Sequence, residues 1–318
     1  MFLHPRHQFL KDLELLEFLE SFVCLEILEC LAFLFQQVLE NLEYLVRLEG
    51  IVSPMRISYE GVILEVDPSD WMHRALIKTA IKKRIGWLIG KPYRRDDYLT
   101  CAYRVLSDVT NPVVLDIGCN IGTTALPLAR RFPTSKIIAV DAHPTALSRL
   151  LRNIQINRIQ NVSIVAAAIS DTGDMARIFT EPRNSGGNRL SGFEGRTDLA
   201  PFKTYDNINV PSLRLDKVAA EMNITHCDML KIDVEGYELH VLKSLGSDLS
   251  PKNYSTVICE FGPEGLRSAG ATGWDLVHLM RSHGYRCNNL HDGKAIETPE
   301  DVPLLPDFTV TDFLFQAV

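Results

Sequence analysis

VVLDIGCNIGTTALPLARRFPTSKIIAVD, running from Val113 to Asp141, is the stretch that decides the fold. Val113–Ile117 is an apolar run broken only by Asp116, and the turn Gly118-Cys119-Asn120-Ile121-Gly122 follows at once. A segment of helical composition comes next, then a second apolar run, Lys136–Val140, closed by Asp141. Strand, glycine turn, helix, strand and acidic residue, in that order, outline a βαβ unit that holds a nucleoside-bearing cofactor at its strand ends.

The turn narrows the choice of cofactor. Its glycines take φ > 0 and admit a ligand close to the backbone, and the helix that follows offers free N–H groups. Dinucleotide dehydrogenases carry G-x-G-x-x-G, whereas here Asn120 stands at the middle position and no triple glycine is present. Asp116 would repel a phosphate and suits an ammonium group instead. A cofactor with a free amino-acid end, S-adenosylmethionine, meets that requirement. Asp141 falls roughly 20 residues beyond the turn, where a carboxylate can accept both ribose hydroxyls. His143-Pro144 follows it, and the histidine reads as structural or as an edge of the ribose site. An ordinary strand-to-helix turn is the plainer alternative for this whole unit.

Further strand-like runs lie at Val162–Ala167, Met229–Asp233 and Thr256–Glu260, with helical segments between most of them, the alternation of a mainly parallel sheet. The run Met229-Leu230-Lys231-Ile232-Asp233-Val234-Glu235-Gly236 delivers Asp233 and Glu235 at its C-terminal edge, where open α/β sheets bind ligands. Two carboxylates so spaced supply a general base or ligands for a hard cation. The structural alternative is a Lys–Glu ion pair with an N-cap for a helix starting at Tyr237. Glu260 ends its own strand at the same edge and joins the cluster. Residues 171–213 carry Gly186, Gly187, Gly192 and Gly195 before a late strand, Ile208–Leu213, and read as a hairpin with a long loop over the site. Upstream, Arg56–Pro68 reads as a hairpin about Glu60-Gly61, with helices over Trp71–Leu88 and Asp96–Val109. Downstream, a helix over Trp274–His283 ends at Gly284. Closing strands at Tyr285–Leu290 and Phe308–Gln316 are expected to join through an Asp292-Gly293 turn.

VVLDIGCNIG, the DAHP tetrapeptide after the second strand, SLRLDKV and DMLKIDVEGYELHVLKSL together resemble the FkbM-type methyltransferases over about Asp96 to Leu290. The resemblance implies a Rossmann-like, mostly parallel seven-stranded sheet with helices on both faces, S-adenosylmethionine as cofactor, and O-methylation of a small or sugar-bearing acceptor. Matched by position, Asp116, Gly118, Asn120 and Gly122 look like the methionine-side cradle and Asp141 like the ribose ligand. Lys231, Asp233, Glu235 and Gly236 form the family's post-strand element. Two departures stand out: the family usually has Glu where this chain has Asp141, and commonly Ala where it has Cys119. The candidate cofactor residues are therefore Asp116, Gly118, Cys119, Asn120, Gly122, Asp141, Ala142, His143 and Ala167. The candidate catalytic residues are Asp233, Glu235, Lys231 and Glu260. No metal site is assigned, although a divalent cation bridging these carboxylates is an alternative way to activate a hydroxyl.

Composition bounds the rest. The chain has 318 residues, 46% hydrophobic and 23% charged, with a net charge of −7, values of a globular protein without the basic surface of a nucleic-acid binder. Seven scattered cysteines with no CxxC pair suggest reduced thiols and a cytoplasmic setting, and the N-terminus lacks the pattern of a signal peptide. Residues 7–49, dominated by Leu, Phe and Glu, read as a helical arm that caps the protein or joins copies of it. A weakly structured extension and a membrane span are the competing readings. Glu26 and Glu29 oppose the span, since a carboxylate near a bilayer centre costs roughly 2.5–3.5 kcal/mol. The expected organisation is an arm at 1–52, a hairpin and helices capping the site at 53–110, and the catalytic domain at 111–318. Two other function classes compete with this one. A nicotinamide-dependent Rossmann oxidoreductase would need G-x-G-x-x-G or Tyr-x-x-x-Lys, and the chain has neither. A non-catalytic assembly protein keeping the fold would not need the carboxylate cluster.

Overall fold

The computed structural model describes residues 54–88, 98–181, 183–190, 206–307 and 309–318. The arm at 7–49 and the loop residues 191–205 lie outside these. The chain divides into two compact units. One holds residues 67–69 and the helix from His73 onward. The other holds the hairpin, residues 70–72 and everything described from Tyr98.

In chain order, the hairpin is β1 (Met55–Tyr59) and β2 (Val62–Val66), and the first helix is α1 (Trp71–Leu88). Glu60 and Gly61, at φ 48° and 79°, form the two-residue turn between the hairpin strands, the geometry whose twist matches a β-ribbon. Then come α2 (Tyr98–Leu106), β3 (Val113–Ile117), α3 (Ala125–Arg131), β4 (Lys136–Asp141), α4 (Pro144–Asn157) and β5 (Val162–Ala166). A short β6 (Ala168–Ile169) leads to β7 (Asp174–Phe179) and β8 (Asn207–Leu213). The chain continues through α5 (Leu215–Glu221), β9 (Cys227–Ile232), α6 (Glu238–Lys243), β10 (Tyr254–Phe261), α7 (Pro263–Ser268), α8 (Gly273–Ser282), β11 (Tyr285–Asn289) and β12 (Thr311–Ala317).

The main sheet has seven strands in the order β11-β12-β10-β9-β3-β4-β5. Strands β10, β9, β3, β4 and β5 run parallel, and β12 is antiparallel to both its neighbours. Parallel strands need helical crossovers, so their sequences are apolar almost throughout. Leu115, Ile138, Leu230, Ile232, Val257 and Cys259 accordingly lie in one continuous core with Phe313 and Phe315 of β12. The chain leaves β3 towards β4 and β5, then returns to lay β9 on the other side of β3. That reversal opens a crevice at the C-terminal ends of β3 and β9, the place where such sheets bind ligands.

Two departures from the sequence expectations are visible. The interval expected as a hairpin with a long loop does pair β7 with β8 antiparallel, but it gains a third strand, because β6 peels off the end of β5 and pairs in parallel with β8. Asp292-Gly293 does make a turn, but it closes an isolated bridge between Asn288 and Ala295, and a long connection then leads to β12. Ile296, Val302 and Leu305 of that connection pack against the main core, so burial of side chains lengthens what turn chemistry alone would have kept short. Among the described residues no helix is long and apolar enough to cross a membrane. Five cysteines, at 101, 119, 227, 259 and 287, are buried.

Candidate active site

The turn after β3 is built by backbone geometry. Gly118, Asn120 and Gly122 all take positive φ, at 79°, 48° and 92°. The N–H groups of Gly118 and Cys119 donate to the Val140 carbonyl at 2.9 and 3.0 Å, which fastens the turn to β4. A Cβ on Gly118 would stand 1.7 Å from the Asp233 carbonyl oxygen. Only glycine lets this turn lie directly against the end of β9.

Asp141 holds the other side of the turn. Its Oδ2 accepts from Asn120 N at 2.9 Å and its Oδ1 from His143 N at 2.8 Å. A carboxylate has about four lone-pair sites, so these bonds leave acceptor capacity for a ligand. Burial raises the Asp141 carboxyl above its usual range, and the N–H donors of His143 and Asn120 oppose that rise. Ala142 and His143 follow directly, and Ala167 is tied to the same strand end by its N–H on the Asp141 carbonyl at 3.1 Å. Cys119 is buried within the turn. The sequence-derived cofactor residues are thus gathered at the ends of β3, β4 and β5.

Asp116 sits beneath the turn and is wholly buried. Its Oδ2 accepts from Ala125 N at 3.1 Å, at the head of α3. The ammonium beside it belongs to this chain: parallel register sets Asp116 against Lys231, and Lys231 Nζ lies 3.6 Å from Asp116 Oδ1. The same Nζ donates to Asp233 Oδ2 at 2.9 Å and stands 5.3 Å from the centre of the Tyr98 ring. Burial alone would lower the Lys231 amine, but Asp233 and Asp116 outweigh it and hold the amine well above its ordinary value. Asp116 is raised by burial, with Lys231 opposing the rise. The structural alternative of a Lys231–Glu235 pair is not what forms: the lysine joins the two aspartates.

Across the crevice, Asp233, Glu235 and Glu260 each bring a carboxylate oxygen within 4.8 Å of the others. Three such oxygens either share protons or could hold a hard cation. Burial raises the carboxyls of Glu235 and Glu260, and Asp233 raises both further. The turn that carries them is tight. Glu235 has φ 57° and Gly236 φ 104°, and a Cβ on Gly236 would meet the Gly265 carbonyl carbon at 2.2 Å. The helix after the turn begins at Glu238, and the carboxylate that steadies the turn is Glu238 itself, whose Oε1 accepts from Val234 N at 3.2 Å and Gly236 N at 2.9 Å. Burial pushes Glu238 up to about 7.

Three residues here escaped sequence reasoning. Tyr98 opens α2 and sets its ring beside the Lys231 ammonium. Arg189, buried, pairs with Glu264 at 2.9 Å and draws the Glu235 carboxyl downward. Glu238 lies just after the post-strand element, where its sequence position marks only the start of a helix. The first two are isolated residues whose relevance comes from chain segments far apart, and no local pattern marks them.

The geometry fits S-adenosylmethionine. The buried Asn120 Oδ1 and His143 Nδ1 have no hydrogen-bond partner among the described residues. Both residues also donate their backbone N–H groups to the Asp141 carboxylate.

Comparison with known proteins agrees. The family profile described as the Methyltransferase FkbM domain matches residues 116–287. The chain is similar to methyltransferase sdnD of Sordaria araneosa, 26% identical over 187 residues that span 52% of this chain and 72% of that one. It is also similar to the 2-O-methyltransferase NoeI of Sinorhizobium fredii, 29% identical over 146 residues spanning 43% of this chain and 58% of that relative. A solved structure of an FkbM methyltransferase from Methylobacillus flagellatus aligns with a TM-score of 0.42 at 15% identity, covering 77% of this chain and 55% of that one.

Proposed function

The chain belongs to the FkbM methyltransferase-domain family, S-adenosylmethionine-dependent enzymes, and from that premise we propose that it methylates a hydroxyl group of a small-molecule or sugar-containing acceptor. The observation that carries the reading is the contact between Gly118 and the Asp233 backbone: the turn suited to the methyl donor and the carboxylate suited to the acceptor share one crevice. S-adenosylmethionine, when bound, supplies the methyl group and a neutral thioether as leaving group.

What the protein adds is placement. Glycine backbone and Asp141 orient the donor, while Lys231 fixes one oxygen of Asp233 and leaves the other to accept the acceptor's hydroxyl proton. Asp233 would hold the acceptor hydroxyl and take its proton, while the glycine turn and Asp141 would hold the donor that supplies the methyl group. Holding two reactants in line is worth much of such a barrier, and proton removal by a positioned base adds a factor of about 10²–10⁴. Glu235 and Glu260 stand next to Asp233 as further polar contacts for the acceptor. The 2-O-methyltransferase activity in the name of the relative NoeI supports a hydroxyl as the target.

Calorimetric titration with S-adenosylmethionine and, separately, with NAD tests the donor, and transfer of labelled methyl to a panel of hydroxylated metabolites and sugars tests the acceptor. Binding of NAD without S-adenosylmethionine would overturn the proposal.

A further inference from the structure

The hairpin β1–β2 lies outside residues 116–287, the stretch matched by the family, yet it is wired to the cofactor turn. Two asparagines one helical turn apart on α4 make the connection. Asn157 Oδ1 accepts from Ile63 N at 2.8 Å and its Nδ2 donates to Ile63 O at 2.7 Å. Asn153 Oδ1 accepts from Glu65 N at 2.7 Å. Four residues rise about 6 Å along a helix and two residues about 6.8 Å along a strand, so successive amides on α4 meet successive outward-facing groups of β2. Side chains on the helix thus take the place of a neighbouring strand.

Only one of the two asparagines reaches further. Asn153, wholly buried, uses its Nδ2 to donate to the carbonyl of Ile121 at 3.0 Å. Ile121 sits between Asn120 and Gly122, the two positive-φ residues at the end of the turn. A buried carbonyl needs a donor, and this one is supplied by the same amide that holds the hairpin.

We propose that Asn153 is a positioning residue for the cofactor turn, acting through its bond to the Ile121 carbonyl while its other amide atom is anchored on the β1–β2 hairpin. The proposal rests on the reading of the turn as the S-adenosylmethionine site. Asn157 is the built-in control: it docks the same hairpin and has no bond to the turn.

The test compares N153A, N153D and N157A in the full chain by calorimetric titration with S-adenosylmethionine and by thermal unfolding. N153D keeps an acceptor for Glu65 N and loses the donor to Ile121. Both Asn153 variants are expected to weaken S-adenosylmethionine binding about tenfold, the scale of one buried group left unpaired. N157A should lower the unfolding temperature as N153A does and leave affinity within about twofold. Equal losses of affinity in N153A and N157A would reduce the effect to general loosening of the hairpin and overturn the proposal, as would unchanged affinity in both Asn153 variants. Failure of the wild-type chain to bind S-adenosylmethionine would instead remove the functional reading beneath it.

Discussion

Asp233 is where the proposed chemistry concentrates. Its side chain is one-third exposed, one oxygen is fixed by Lys231, and the donor turn touches its backbone. Replacing Asp233→Asn preserves shape and removes the proton acceptor. Methyl transfer to the acceptor used by the wild type should fall by about 10²–10⁴, while affinity for S-adenosylmethionine stays within about threefold because the donor is held elsewhere. Full turnover in this variant would take the role away from Asp233. Its place in the site was legible in the sequence, since an acidic residue at the end of an apolar strand has few other destinations. Lys231 was legible as a position, but its partners were not. Its pairing with Asp116 depends on which strand lies beside β9, and that neighbour is more than one hundred residues away in the chain.

At the scale of elements, the strands of the main sheet were readable because buried parallel strands have apolar runs bounded by turn residues. The small sheet β6-β8-β7 was not readable, because β6 has two residues and exists only through its pairing with β8. The glycine turn shows how tightly elements constrain one another. Gly118→Ala would place a methyl group against the backbone of Asp233 at a φ that costs a side chain roughly 1–2 kcal/mol even in open space. The variant should lose more than about 2 kcal/mol of stability and bind S-adenosylmethionine more than about tenfold more weakly, as read by denaturant unfolding and calorimetry. Wild-type values in both measurements would mean that the turn and β9 are not in contact. The hairpin was predicted as a hairpin, whereas its link through Asn153 spans 88 positions in the chain and leaves no mark in local sequence.

The carboxylates act on the molecule as a whole through the pH dependence of its stability. Burial raises Glu238 from 4.5 to about 7, and it raises Glu235 and Glu260 in the same direction. A folded state whose carboxyl titrates above the unfolded one binds more protons between the two values. The stabilisation from Glu238 is therefore fully present below about pH 4.5 and lost as pH rises through about 7, a span worth on the order of 3 kcal/mol at most. Glu238→Gln keeps the amide oxygen that serves Val234 and Gly236 and cannot ionise. Unfolding temperatures measured from pH 5 to pH 8 should fall less steeply in the variant than in the wild type, and identical slopes would show that Glu238 does not titrate in that window.

The five buried cysteines turn the protein into its own clock. Burial pushes the thiols of Cys119, Cys227, Cys259 and Cys287 upward, and a thiol reacts only as the thiolate. An alkylating reagent must therefore wait for each to be uncovered by an opening of the fold. Cys119 lies in the cofactor turn, whereas Cys227, Cys259 and Cys287 lie within β9, β10 and β11. Their separate labelling half-lives would time the fluctuations of the donor site and the unzipping of the sheet in one unmutated molecule.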